Sequence, residues 1–114
     1  MADSLNARCW ARVIIGQQLQ QALSDCSESL RIRPNDAYTL DSREFAYLNL
    51  GRLDAAIADF NAALEINSRL PSSLYGRGLA KLKKGDRAGA NADMAAAKAI
   101  KADIAQELAR DGIK

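Results

Sequence analysis

The chain has 114 residues, which suits one domain with one modest core, and its formal net charge of +2 is too small to imply a polyanionic partner for the whole molecule. Aromatic residues make up 5% and apolar residues 48%, and with one threonine (Thr39) and one valine (Val13) the strand formers are nearly missing, so the composition is all-helical. Histidine is absent, which removes the commonest general base and metal ligand, and no apolar run approaches the roughly 18 residues of a bilayer span.

In chain order, the first segment carries Leu5, Trp10, Val13 and Ile14 on a helix with nothing before it to cover them. Val13-Ile14-Ile15 is too short for a signal peptide, so an untargeted chain is expected, with the cytoplasm favoured. A turn is expected near Gly16-Gln17, and Pro34-Asn35-Asp36 closes the helix that follows. The next helix is predicted over about 37–50 and stops at Gly51, which has no Cβ to oppose a left-handed cap. Another is predicted over about 54–66, with Asp54 as its N-cap. The same plan recurs with a turn at Gly85-Asp86. Beyond Ala102, Ile104, Ala105, Leu108 and Ala109 form an apolar stripe, Gln106, Glu107 and Arg110 lie on the outer face, and Gly112 follows. That last stretch reads as a cap helix.

Sliding the chain against itself shows an internal period of 34 residues. Ala22, Ala56 and Ala90 coincide, as do Asp25, Asp59 and Asp93, and Ile32, Ile66 and Ile100. The residue after each shared aspartate is Cys26, Phe60 or Met94. Leu19, Leu53 and Arg87 correspond, and Gly51 matches Gly85. Self-similarity at this period indicates stacked helix pairs. The three units run over about 3–36, 37–70 and 71–102, with the cap over about 103–112.

These residues resemble the tetratricopeptide repeat over nearly the whole chain. The second-helix signature, alanine with a bulky residue four later, is met by Ala56 and Phe60, and more loosely by Ala22 with Cys26 and Ala90 with Met94. Pro34 closes a repeat, where Ser68 and Ala102 stand later. In the first helix Leu40 and Tyr47 fit, Arg43 and Arg77 stand where leucine is usual, Gly78 fits the small position, and Lys81 replaces the usual tyrosine. YGRGLAKLKKGD has the style of small bacterial members. The resemblance implies an all-α, right-handed solenoid of three helix-turn-helix repeats. It also implies that the alanines mark close helix crossings, with Ala56 and Ala90 facing residues 44 and 78. Enlarging either alanine is expected to cost about 1–3 kcal/mol by overpacking.

Residue 44 is the exception, being glutamate where a small residue is expected, and Trp10 stands at the equivalent place in the first unit. A buried, unpaired carboxylate is costly, so Glu44 is expected to reach solvent, pair with an arginine, or distort its unit. On that reading Glu44→Gly raises the melting temperature. For Trp10 the simpler expectation is that it folds inward against its own unit. An open apolar edge would instead stack on a second copy or an upstream segment, making the N-terminal helix a homo-oligomer contact.

By the family pattern, the first helix of each unit lines a concave groove. Ser4, Ala7, Arg8 and Ala11 come from unit one, and Tyr38, Asp41, Ser42, Phe45 and Asn49 from unit two. Unit three supplies Ser72, Tyr75, Gly76, Leu79 and Lys83. Tyr38, Phe45, Tyr75 and Leu79 would make an apolar seat with polar edges for a peptide or helix; Phe45 and Leu79 have the competing expectation of packing between units. Repeats that clamp the acidic tails of heat-shock chaperones need cations or amides on this face. Ala7, Ala11, Ser42, Ser72 and Gly76 stand in those places, so that activity is not expected.

Charge is uneven along the chain. Residues 36–68 hold two basic and six acidic side chains, whereas residues 69–101 hold eight basic and two acidic ones. Arg77, Lys81, Lys83, Lys84 and Arg87 form a basic patch, ordinarily a solvated surface. An acidic protein partner is the functional reading; nucleic acid is disfavoured because aromatics for base stacking are not interleaved. The opposite signs of units two and three would also promote head-to-tail association.

Cys9 and Cys26 form no CxxC pair and, without histidine, make a poor zinc site. They are expected to be two buried thiols facing each other across the first unit; a disulfide would imply an oxidising compartment. The repeated aspartates are structural by their period, and nothing forms a nucleophile–base pair or a phosphate loop. The expected function is therefore non-catalytic and needs no cofactor or metal: binding of a protein or peptide as scaffold or adaptor, with self-association or a fragment of a larger protein as the alternative.

Overall fold

The structure, a computed structural model, describes residues 2–16, 18–110 and 113, with side chains from residue 5 onward. The side chain of Ser4, and Gln17 and Gly112, lie outside what is described. Among the described residues, seven helices follow one another: α1 Ala2–Ile15, α2 Leu19–Ile32, α3 Ala37–Asn49, α4 Leu53–Ile66, α5 Pro71–Lys83, α6 Arg87–Ile100 and α7 Ile104–Arg110. They pack as successive pairs, α1 with α2, α3 with α4 and α5 with α6, and α7 closes over α5 and α6.

Local chemistry explains the boundaries. Gly16, Gly51 and Gly85 end α1, α3 and α5 with φ of +75°, +78° and +93°, a region glycine enters without a Cβ penalty. Asp36 caps α3 by accepting from the Tyr38 amide at 3.1 Å, and Asp86 caps α6 by accepting from the Gly89 amide at 2.9 Å. Asp54 does not do the same for α4. That helix begins one residue earlier, Arg52 is its N-cap, and Asp54 sits in the first turn, where its charge favours the helix N-terminus and pairs with Lys84.

Ala22, Ala56 and Ala90 are all completely buried. At the α5–α6 crossing the fit is tight, since a Cβ added to Gly78 would lie 3.1 Å from the Ala90 carbonyl oxygen and 2.8 Å from Met94 Cγ. One core cluster runs the length of the stack, from Cys9 and Val13 through Phe45, Phe60 and Leu79 to Ile104, Leu108 and Ile113. Ile104 and Leu108 of the cap helix are inward as expected, whereas Ala109 is exposed and Glu107 is half-buried against Lys101. Trp10 turns inward, its ring centroid 5.8 Å from that of Phe45, which belongs to the next unit. Val13 is also covered, and Ile14 and Ile15 remain exposed on α1.

Which face is concave follows from the packing. The first helices touch across the pairs, α1 with α3 and α3 with α5, whereas among the described residues α2 does not reach α4, nor α4 reach α6. The stack is therefore tighter on the α1–α3–α5 side and splayed on the other. This is a helical solenoid of repeats, the curvature coming from the repeated offset between pairs.

Candidate functional site on the first-helix face

Between α1 and α3 lies a cavity of about 260 Å³, lined by Asn6, Ala7, Trp10, Tyr38, Asp41 and Ser42. Tyr38 stands at the rim, 69% exposed. Ser42 ties the two helices together, its hydroxyl lying 3.0 Å from Asn6 Oδ1 and 3.1 Å from the Tyr38 carbonyl oxygen. Asp41 is half-buried on the cavity wall and bridges onward to α5 by accepting from the Ser72 hydroxyl at 2.8 Å and the Ser73 hydroxyl at 2.7 Å.

The other residues expected in the groove are scattered. Phe45 is fully buried and packs edge-on against Phe60 at 5.4 Å, and Leu79 is 8% exposed in the same cluster, so both belong to the core and present nothing to a partner. Gly76 is buried beneath the two rings; an added Cβ would collide with Phe60 and come within 2.8 Å of Phe45. Tyr75 is half-buried against the core, and Ser72 is half-buried on Asp41. Asn49 and Lys83 are exposed at the C-terminal ends of α3 and α5. Arg8 turns away from the groove and holds Asp25 through Nε at 2.9 Å and Nη2 at 2.7 Å.

Behind Asp41, Glu44 is fully buried between α3 and α5. It neither reaches solvent nor meets an arginine, and α3 runs through it unbroken. Its Oε1 lies 3.0 Å from the Ser73 hydroxyl. Burial and the neighbouring Asp41 push its carboxyl well above the usual range, which favours the neutral acid over the carboxylate. With this side chain filling the seam, a glycine at residue 44 would open a cavity and add about 1 kcal/mol of helix cost. The expected gain from Glu44→Gly is thereby reversed into a loss.

Three of the five cations of the basic patch are paired, on two carboxylates. Arg77 holds Asp93 through Nε and Nη2, both at 2.8 Å, and Lys81 meets the same carboxylate at 2.9 Å. That pairing keeps the Asp93 carboxyl below its ordinary range against the opposing effect of burial. Lys84 pairs with Asp54. Lys83 and Arg87 are exposed, and with Arg77 and Lys81 sharing one carboxylate the patch keeps an excess of positive charge.

The arginines at the leucine position now have a role. Arg43 holds Asp59 at 2.7 and 2.8 Å and reaches Ser27 of the preceding repeat; Arg77 holds Asp93 and reaches Asn61. Each clamp therefore joins the two helices of a unit and touches the unit before. In the first repeat the equivalent position is Cys9, and there the clamp is covalent. Cys9 and Cys26 form a disulfide, with Cα atoms 5.6 Å apart, in place of the two thiols expected. Asp25 is taken over by Arg8 and Arg12 instead.

Sequence reasoning missed Asn6 and the cavity role of Trp10. Residue 6 has leucine (Leu40) one period later, so no repeat signal marks it, and Trp10 carried only a packing signal.

A family model described as TPR repeat matches residues 46–85. A stretch of 55 residues is 44% identical to the cellulose synthase 1 operon protein C of Komagataeibacter xylinus, covering 48% of this chain and 4% of that protein. Another of 72 residues is 29% identical to the protein SGT1 homolog of Bos taurus, covering 63% of this chain and 21% of that protein. The match thus spans a small part of each curated relative. The NMR structure of the first TPR domain of human RPAP3 aligns with a TM-score of 0.83 at 20% identity, covering 98% of this chain and 95% of that one, which speaks to the fold. Residues 46–85 thus carry the TPR repeat in their sequence, and the chain as a whole has the fold of a domain built from it.

Proposed function

We infer that the chain is a non-catalytic protein-binding module, used as scaffold or adaptor, whose α1–α3–α5 face receives a peptide or helix from a partner. Solenoids of helix pairs present extended concave surfaces of this kind. The observation that carries the reading is the cavity between α1 and α3, where Trp10 and Tyr38 meet Asp41 and Ser42 at a place reachable from solvent. Tyr38 and Asp41 are the residues on which binding rests; Tyr75, Ser72, Asn49 and Lys83 would extend the contact along α3 and α5. The self-association reading has less behind it, since Trp10 and Val13 turn inward and leave Ile14 and Ile15 as the open edge of α1. The Cys9–Cys26 bond favours an oxidising compartment over the cytoplasm.

The test is comparative capture from a source lysate with wild type and the Tyr38→Ala/Asp41→Lys variant. Proteins held by wild type and lost by the variant would support the face; an identical set of captured proteins would remove it.

A further inference from the structure

Each of the repeated aspartates is matched by a cation: Asp25 by Arg8 and Arg12, Asp59 by Arg43, Asp93 by Arg77 and Lys81. Asp41 is different. It accepts from the neutral hydroxyls of Ser72 and Ser73 and lies beside the buried carboxyl of Glu44, none of which compensates its charge. It shares its cavity with Trp10 and Tyr38, and among the described residues neither lysine nor arginine lines that cavity. The arginines of α1 and α3 are occupied elsewhere, Arg8 and Arg12 on Asp25 and Arg43 on Asp59. An uncompensated carboxylate beside two aromatic rings is the chemistry that holds a cation. The rings attract it through their faces, and the carboxylate accepts charge-assisted hydrogen bonds. A volume of about 260 Å³ accommodates a long side chain.

We propose that the cavity between α1 and α3 is a receptor for one basic side chain, arginine or lysine, presented by a partner polypeptide, with Asp41 as counter-ion and Trp10 and Tyr38 as its walls. This rests on the concave-face reading above and gives it a ligand class. The polarity is opposite to that of a face built to hold acidic tails.

Trp10 is the single tryptophan and serves as the probe. Four blocked pentapeptides, glycines around a central Arg, Lys, Glu or Leu, are titrated while Trp10 fluorescence and the amide shifts of Asn6, Trp10 and Ser42 are followed. The Arg and Lys peptides should give saturable changes that weaken as salt rises, and the Glu and Leu peptides should not. Asp41→Asn should weaken the Arg response by about 5-fold or more, equivalent to about 1 kcal/mol. Tyr38→Ala, at an exposed position that the fold does not need, should weaken it independently. An unchanged response in Asp41→Asn, or no saturable response to either basic peptide, would overturn the inference. If the Leu peptide binds the same residues as well as the Arg peptide, cation recognition fails while the concave face stands as a docking surface. That face is lost only if the capture experiment also finds no difference.

Discussion

A carboxylic acid sealed between two helices persists either by finding a cation or by keeping its proton. Glu44 is biased toward the second course: fully buried, beside Asp41 and Ser73, its carboxyl is pushed up by desolvation first and by Asp41 next. The consequence for stability has a definite sign. The unfolded carboxyl releases its proton near pH 4.3, and the folded one keeps it to higher pH, so between those values the native state binds more protons. Stability is then fully present below about pH 4.3 and declines as pH rises toward the folded value. Glu44→Gln keeps the volume and the neutral charge. Its melting temperature should match wild type in acid and exceed it increasingly toward neutral pH, as measured by circular dichroism melts across the range. Parallel pH profiles for the two proteins would show that Glu44 is ionised in the fold. Sequence reasoning identified residue 44 as out of place. It did not find the solution, because Ser73 and Asp41 are brought to it only by the stacking of α5 on α3.

At the scale of the helix pair, repeats two and three are pinned by an arginine–aspartate clamp, and repeat one by a disulfide from the arginine position to the residue after the aspartate position. The bond spans 17 residues of chain, a loop for which cross-linking stabilises by about 3 kcal/mol through the unfolded state. Cys9→Ala/Cys26→Ala should therefore lower the urea-unfolding free energy by about 2–4 kcal/mol, and a dithiol reductant should lower that of wild type by a similar amount. An unmoved midpoint in both experiments, with two alkylatable thiols in the unreduced protein, would show that the pair is not bonded. The helix boundaries themselves were largely legible, because glycine at 51 and 85 and aspartate at 36 and 86 act locally. The start of α4 was misplaced because Asp54 stabilises a first turn as well as it would cap one.

Across the whole molecule, a single core cluster connects the disulfide end to the cap helix. Stability is then expected to be shared along the stack rather than held repeat by repeat. Leu108 of α7 is 3% exposed, and Leu108→Ala should cost about 2–4 kcal/mol. Trp10 sits at the opposite end, so its fluorescence reports on coupling. The urea midpoint seen by Trp10 should shift as far as that seen by circular dichroism. If the fluorescence transition stays in place while the helical signal moves, the repeats unfold separately.

The 34-residue period, the recurring alanines and the glycine turns determined an all-helical stack of pairs, because each acts through local conformation or through a contact repeated in every unit. What tertiary structure alone decided was the fate of single side chains that do not repeat. Phe45 and Leu79 went to the core and Arg8 to Asp25, while Asn6, Trp10, Tyr38 and Asp41 came together around one cavity. The reason is geometric: a helix period places a residue on a face, whereas the neighbouring helix, its offset and its charges determine whether that face is buried, neutralised or left open to a partner.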